Sequence, residues 1–361
     1  MKERVLVAIS GGVDSSFTAY LLREAGYKVV GVRMRVYDGR YPVSHSRGNV
    51  CYGPGESQSV EMARRICKWL DIPFYEIDLR KEYARYVIEY FRREYLRGRT
   101  PNPCIMCNRH LKFHLLLKKA MALNIDFDLF STGHYVRSEK RGDRYILKRG
   151  IDTKKDQSYF LYTLSQEQLS RTIFPLGEMK KSEVRKRARE LGFENADRKE
   201  SQDFVSSKGY GVFFRDKEIK RGKIIDKRGR LLGYHRGIAF YTIGQRKGLG
   251  IASDRPYYVI KIDAEKNQVI VGRREDIYSR SLIANNVNLI SVEHLSSPLR
   301  ATAKIRLKSK ESECLIYPLK DGRIKVIFDK PQAAITPGQS VVFYNGDEVI
   351  GGGIIDRVLD E

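Results

Sequence analysis

Residues 10–16, Ser-Gly-Gly-Val-Asp-Ser-Ser, follow an apolar run at 5–9 and lead into a helical pattern over 15–25. Two glycines let the backbone come close to an anion, and a helix start turns free N–H groups toward it. Ser10, Ser15 and Ser16 add hydroxyl donors. The chemistry these residues favour is phosphate binding. A Walker loop, GxxxxGK[ST], would add a lysine aimed at the β- and γ-phosphates. No lysine stands in this stretch, and it is not the dinucleotide pattern GxGxxG. A loop that grips pyrophosphate without addressing the γ-phosphate suits adenylation, in which a substrate oxygen attacks the α-phosphorus and pyrophosphate leaves as a unit. Asp14 is expected to bind Mg2+ or to fix the loop. An ordinary strand–turn–helix corner is the bland alternative, and it does not require so complete a set of Gly, Asp and Ser.

The elements that must position this loop read as follows. Strands are predicted at 5–9, 28–37 and 74–79, with a further one beginning in 128–135; helices are predicted at 15–25, 57–70 and 109–123, with a long amphipathic stretch at 82–97. Strands alternating with helices give an α/β fold, a doubly wound parallel sheet. Its ligand site lies beyond the carboxyl ends of the strands. After about residue 200 the pattern changes to short alternating strands, and Asn345-Gly346 is a hairpin turn. The predicted division is a nucleotide-binding domain over 1–203, closing on a basic linker helix within 180–200, a small central β-rich domain over 204–280 and a C-terminal β-barrel over 281–361.

The 67 Lys and Arg against 44 Asp and Glu leave a net charge of +23. A chain this basic is drawn to polyanions, nucleic acid first. A thermophile surface is the alternative, although such surfaces mix both signs. No apolar run approaches the roughly 18 residues of a membrane span. The N-terminus runs straight into a strand, leaving no room for a signal peptide, so a cytoplasmic location and no membrane partner are expected.

The loop resembles that of the PP-loop (adenine nucleotide α-hydrolase-like) ATPases. The segments GRTPNPCIMCNRHLKF (98–113), TGHY (132–135), KKDQSYFLYTL (154–164), PLGEMKKSEVR (175–185), YTIGQRKGLGI (241–251) and TPGQSVVFY (336–344) narrow the match. In this order they are similar to the tRNA-uridine 2-sulfurtransferase (tRNA-specific 2-thiouridylase) family, over nearly the whole chain. The resemblance implies ATP-dependent adenylation of O2 of uridine 34, the wobble base, followed by attack of a sulfur nucleophile on C2 with loss of AMP. The base must leave the stack for this. Implied partners are tRNA and a sulfur donor, either inorganic sulfide or a sulfur-carrier protein. The implied ATP contacts are Ala8, Ile9, Ser10, Gly11, Gly12, Val13, Asp14 and Ser15, with Met34 on the adenine and Gly133 closing the pocket. Asn102 and Pro103, with position 104, match the segment that meets the target base. Lys155, Asp156 and Gln157, and also Arg306 and Leu307, match tRNA-contacting segments. The bland reading of Lys155 is a solvated loop lysine.

The five cysteines depart from that family's pattern. Better-known members use one cysteine in PNPDxxCN, matched by Cys107, and a second that would fall near 200–205, where this chain reads KESQDFVSS. The aspartate of PNPD is Cys104, giving C-x-x-C, and Cys51 sits in a glycine-rich loop after the second strand. Three thiols are thus expected at one side of the nucleotide. C-x-x-C plus a distant cysteine in a reducing compartment reads as a metal or cluster site. Zinc would want a fourth ligand, with His45, His110 and His114 available. A [4Fe-4S] cluster on Cys51, Cys104 and Cys107, similar to that of three-cysteine tRNA thiolation enzymes, leaves one iron open to hydrosulfide and is the expected sulfur carrier. The alternative is a persulfide on the Cys104/Cys107 pair. Cys67 and Cys314 occupy apolar faces and read as core residues. His134 reads as positioning nucleotide or loop rather than as an acid or base.

Two other classes remain open from the residues. A PP-loop ligase that adenylates a small molecule needs neither the charge nor the C-terminal strands. A non-catalytic RNA-binding protein has no need of an intact loop.

Overall fold

Val5, Leu6 and Val7 are fully buried, and the run that holds them is β1, Arg4–Ala8, the middle of a parallel sheet in the computed structural model. The structure describes residues 3–43, 50–199, 204–205 and 207–359. The chain forms two compact units. The first comprises residues 1–87, 104–210 and 347–349, and the second residues 88–103, 211–346 and 350–361.

In the first unit β1 pairs with β2, Lys28–Arg35, which pairs with β3, Phe74–Asp78. On its other side lies β4, Leu129–Thr132. An antiparallel hairpin follows, β5 (Val136–Arg141) and β6 (Arg144–Arg149), and then the two-residue β7, Thr172–Ile173, completes the sheet in the order β3-β2-β1-β4-β7. The order reverses at β1 and β4, so the crevice beyond Ala8 and Thr132 is where this topology leaves room for a ligand. Helices α1, Val13–Glu24, and α2, Glu56–Trp69, cover the sheet around Val13, Phe17, Ala63 and Ile66.

Three local features differ from the sequence expectation. The basic helix Lys181–Glu190 is not a linker: Val184 and Ala188, four residues apart, are fully buried in the same core and pack the helix on α1. The stretch expected as one amphipathic helix at 82–97 runs as Arg80–Tyr83, a wider π-type segment Ala84–Ile88, and then Glu89–Leu96. The helix expected at 109–123 starts at Pro103 and contains a second π-type segment, Cys107–Leu115, before Leu116–Ala122. Proline suits a helix start because its missing N–H would have no partner there.

In the second unit β8 (Gly222–Asp226), β9 (Leu231–His235), β10 (Tyr258–Asp263) and β11 (Gln268–Gly272) form a small sheet over Ile224, Val259, Val269 and Val271. The remaining strands are β12 (Tyr278–Leu289), β13 (Leu299–Lys304), β14 (Ser312–Pro318), β15 (Ile324–Ala333), β16 (Ser340–Asn345) and β17 (Glu348–Leu359). They run in the order β12-β15-β14-β13-β16-β17, and pairing of β12 with β17 closes the barrel. Alternation places Cys314, Ile316, Val326 and Phe328 inside it. Among the described residues no helix is long and apolar enough to cross a membrane.

Candidate functional site

The loop after β1 is held in shape by its own side chains. Gly11 has φ +78°, and a Cβ there would stand 2.4 Å from the Ser59 carbonyl oxygen, so only glycine fits. The Ser15 hydroxyl accepts from the Ser10 N–H at 3.0 Å and donates to the Gly12 carbonyl at 3.0 Å. The Gly11 carbonyl accepts from Asn195 Nδ2 at 3.1 Å and from Arg198 Nη1 at 3.3 Å. Arg198 also donates to Ser59 Oγ at 2.7 Å. Gly12 caps α1 without any side-chain hydrogen bond, which leaves the helix start open to an anion. The hydroxyls work differently from the expectation: Ser16 is fully buried and accepts from Asn195 at 2.9 Å, and Ser15 is spent inside the loop. Backbone N–H groups are therefore the main donors the loop presents.

Asp14 is engaged rather than open. Both its carboxylate oxygens lie 2.6 Å from Lys181 Nζ, and Oδ1 accepts from the Tyr135 hydroxyl at 2.7 Å. The Lys181 side chain is only 7% exposed. Of the two roles expected for Asp14, fixing the loop is the one these contacts serve. Gly133, at the end of β4, abuts the loop so closely that a Cβ would meet Ser15 N at 2.8 Å. Ile9 is buried, its N–H on the Val32 carbonyl, while Val13 turns its side chain into the core. Met34 lies half-buried on β2 opposite Ile77 of β3, at the same sheet edge. His134 is buried with Nδ1 2.7 Å from Thr132 Oγ1; burial, then the nearby Lys112 charge, pushes its pKa well below the ordinary value and keeps the ring neutral.

Cys107 opens the π-type segment of its helix. Burial pushes its thiol up to about 11, while the Lys112 charge pulls it down and that of Cys51 raises it. Tyr83 is fully buried, and after burial itself the charges that raise its pKa are those of Cys107, Cys51 and Cys104. All three sulfurs thus lie within electrostatic reach of one tyrosine hydroxyl. Cys51 also acts on the Arg33 guanidinium, whose Nη1 reaches the Ile9 carbonyl at 3.4 Å.

The expected metal set is not assembled. Among the described residues no three His, Cys, Asp or Glu side chains are gathered closely enough to hold a metal ion. Cys51 is exposed on its loop, while Cys104 and Cys107 are half-buried. The candidate fourth ligand His45 lies outside the described residues. His110 instead stacks on Tyr86 at 4.9 Å, and His114 is exposed. Cys67 and Cys314 are buried in their cores, and burial pushes each thiol up to about 12.

Asp156 accepts from the Ser158 hydroxyl at 2.8 Å, and Gln157 Oε1 accepts from the Tyr135 N–H at 2.9 Å, so both shape the loop that presents half-buried Lys155. Asn102 and Pro103 fall in the second unit. So do Arg306, which reaches the Ala334 carbonyl and Thr336 Oγ1, and half-exposed Leu307. The sequence reading did not single out Arg33, Lys112, Tyr135, Lys181, Asn195 or Arg198. The available signal lay in the quoted segments that contain three of them: GRTPNPCIMCNRHLKF for Lys112, TGHY for Tyr135 and PLGEMKKSEVR for Lys181.

Family models match in chain order: a tRNA methyl transferase HUP domain over residues 3–206, a tRNA methyl transferase PRC-barrel domain over 215–273 and an aminomethyltransferase beta-barrel domain over 279–355. The chain is 47% identical to a tRNA-specific 2-thiouridylase MnmA of Clostridium botulinum (strain Alaska E43 / Type E3), over 99% of each chain. It is 49% identical, again over 99% of each, to MnmA 1 of Caldanaerobacter subterraneus subsp. tengcongensis, and 50% identical to MnmA 2 of the same organism over 98% of each. Among solved structures, a 4-thiouridine synthetase–RNA complex with bound ATP aligns at a TM-score of 0.37 and 15% identity, over 57% of this chain and 46% of that one.

Proposed function

Because the chain belongs to the tRNA-specific 2-thiouridylase family, we propose that it is an ATP-dependent tRNA sulfurtransferase that replaces O2 of uridine 34 with sulfur. The observation that carries this reading is the presence, in one unit, of an open, lysine-free phosphate loop and of Cys107. ATP seats its phosphates on the N–H groups of residues 10–15, with Met34 toward the adenine and Gly133 at the pocket edge. Asp14 anchors the loop through Lys181 and Tyr135. Its engaged carboxylate does not fit as a direct Mg2+ ligand, so Mg2+ enters on the phosphates of ATP. Uridine O2 attacks the α-phosphorus and pyrophosphate leaves; the C2–O bond then carries AMP, a far better leaving group than oxide.

For sulfur delivery a [4Fe-4S] cluster has no support here, since no group of three His, Cys, Asp or Glu able to hold a metal ion is found among the described residues. The Cys104/Cys107 pair supports the other carrier, since residues three apart on a helix are neighbours. A persulfide on Cys107, loaded by an external donor, attacks C2 through its terminal sulfur as AMP departs. The Cys104 thiolate then attacks Cys107 Sγ and the S–S bond breaks. The sulfur stays on uridine, and an external dithiol reduces the resulting Cys104–Cys107 disulfide. The segments at 102–103, 155–157 and 306–307, with the basic β domains over 204–280 and 281–361, are proposed to hold the tRNA, and the cytoplasm is the proposed location.

The test is nucleoside mass spectrometry of tRNA incubated with the protein, ATP and a sulfur source. 2-Thiouridine should form with wild type and with Cys51→Ala, and should vanish with Cys107→Ser. Loss of product in Cys51→Ala together with iron in the anaerobically purified wild type would return the carrier to the three-thiolate cluster. Absence of 2-thiouridine in wild type refutes the function.

A further inference from the structure

Adenylation builds negative charge on the phosphorus being transferred, and the loop itself offers no cation to meet it. The cations around the loop are mostly committed. Lys181 holds Asp14, Arg198 holds the Gly11 carbonyl and Ser59, and Arg33 reaches the Ile9 carbonyl. Lys112 differs. It is half-buried, and among the described residues it meets no carboxylate.

Its position follows from the helix that carries it. From Cys107 to Leu115 the chain is π-helical, with hydrogen bonds spanning five residues, so Lys112 stands about one turn beyond Cys107 on the same side. The adjacent Phe113 fixes this part of the helix: its ring centroid is 5.4 Å from that of Phe130 and 6.0 Å from that of His134, and its carbonyl accepts from Gln168 at 2.9 Å. His134 directly follows Gly133, which abuts Ser15. Lys112 thus follows Cys107 by about one turn and directly precedes the residue that packs on His134, next to the strand end that meets the phosphate loop. The shifts it causes at both Cys107 and His134 agree with that placement.

We propose that Lys112 is a catalytic residue of the adenylation step, its ammonium group paired with the α-phosphoryl oxygens as uridine O2 attacks. This role rests on the function proposed above. In the step the O2–phosphorus bond forms and the bond to the bridging oxygen of pyrophosphate breaks. Pyrophosphate leaves with the electron pair, and the N3 proton of the uridine passes to water. A fixed cation facing developing charge in a water-poor site contributes about 10²- to 10³-fold in rate.

The test compares Lys112→Met and Lys112→Arg with wild type in tRNA-dependent pyrophosphate release under single turnover, beside equilibrium binding of a non-hydrolysable ATP analogue. Lys112→Met should slow release about 10²-fold or more while analogue affinity changes less than about threefold, and Lys112→Arg should recover part of the rate. Wild-type release with lost thiolation would overturn the role by moving Lys112 to the sulfur step. Equal losses of rate and analogue binding would overturn it by showing ground-state binding. Should Lys112→Met fail to fold, Lys112→Arg and Lys112→Gln carry the comparison on the same criteria. A wild-type protein that releases no pyrophosphate with tRNA refutes the underlying function instead.

Discussion

Gly133→Ala probes how closely β4 must approach the phosphate loop. The added methyl would sit 2.8 Å from Ser15 N, 2.9 Å from the Asp14 carbonyl carbon and 3.1 Å from Asp14 Cβ, where ordinary contact begins at 3.4 Å. Two of these neighbours are backbone and cannot swing aside. Loop and strand end must part by about 0.6 Å, and the loop is pinned from behind by Asn195, Arg198 and Lys181. Overpacking of this kind costs about 1–3 kcal/mol. The strain falls on the first residues of α1, whose N–H groups are proposed to hold the phosphates, so nucleotide affinity should drop between about fivefold and 150-fold. Binding of a fluorescent, non-hydrolysable ATP analogue measures this. Gly233→Ala, where an added Cβ meets nothing within 4 Å, is the control and should bind as wild type does. Analogue affinity within twofold of wild type for Gly133→Ala would show that the loop does not receive the nucleotide as described.

Further outcomes follow from the same contacts. The sole tryptophan, Trp69, packs against Phe193 at 4.9 Å, so its fluorescence reports unfolding of the first unit alone. By that signal Lys181→Met should cost about 2–3 kcal/mol, the low end for breaking a buried pair because Asp14 is a quarter exposed and keeps Tyr135, and adding Asp14→Asn should restore at least half. His134 binds its proton more weakly folded than unfolded; the unfolded state therefore takes up more protons, and first-unit stability should fall as pH drops below 6.5, by at most about 1.4 kcal/mol per pH unit. His134→Gln should flatten that slope between pH 7.5 and 5.5, and an unchanged slope would contradict the neutral, buried ring. Alkylation at pH 8 followed by peptide mass spectrometry should label exposed Cys51 first and Cys107 slowly, with Cys67 and Cys314 reacting only after unfolding. Affinity for tRNA should fall steeply with salt, as expected for a +23 chain proposed to hold tRNA by its phosphates.

The parts of this molecule that were legible in its sequence are those set by local pattern. The buried run 5–9, the Gly-Gly turn and the helix behind it follow from periodicity and backbone freedom, and so do the closed barrel of alternating strands near the C-terminus. The hairpin 136–149 and the two-residue β7 escaped because their half-polar or very short segments carry little pattern. The π-type turns at 84–88 and 107–115 have the same apolar spacing as ordinary helix, yet the second one decides which residue stands over Cys107. The ties that shape the site are long-range: Lys181 reaches Asp14 across 167 residues and Asn195 reaches Gly11 across 184. Charge content masked the packed face of the basic helix 181–190, although Val184 and Ala188 at helical spacing were its signal. The charges of the three cysteines all act on Tyr83, but C-x-x-C spacing alone cannot say whether their sulfurs close on a metal.

In the proposed reaction the α-phosphate of ATP is attached to the very oxygen that sulfur replaces. The direct measurement uses tRNA carrying 18O at O2 of uridine 34, incubated with the protein, ATP and a sulfur source, with mass spectrometry of both products. The expected products are 2-thiouridine at position 34 and AMP carrying one 18O atom for each sulfur incorporated. Thiolated tRNA accompanied by unlabelled AMP, or by no AMP, would contradict it.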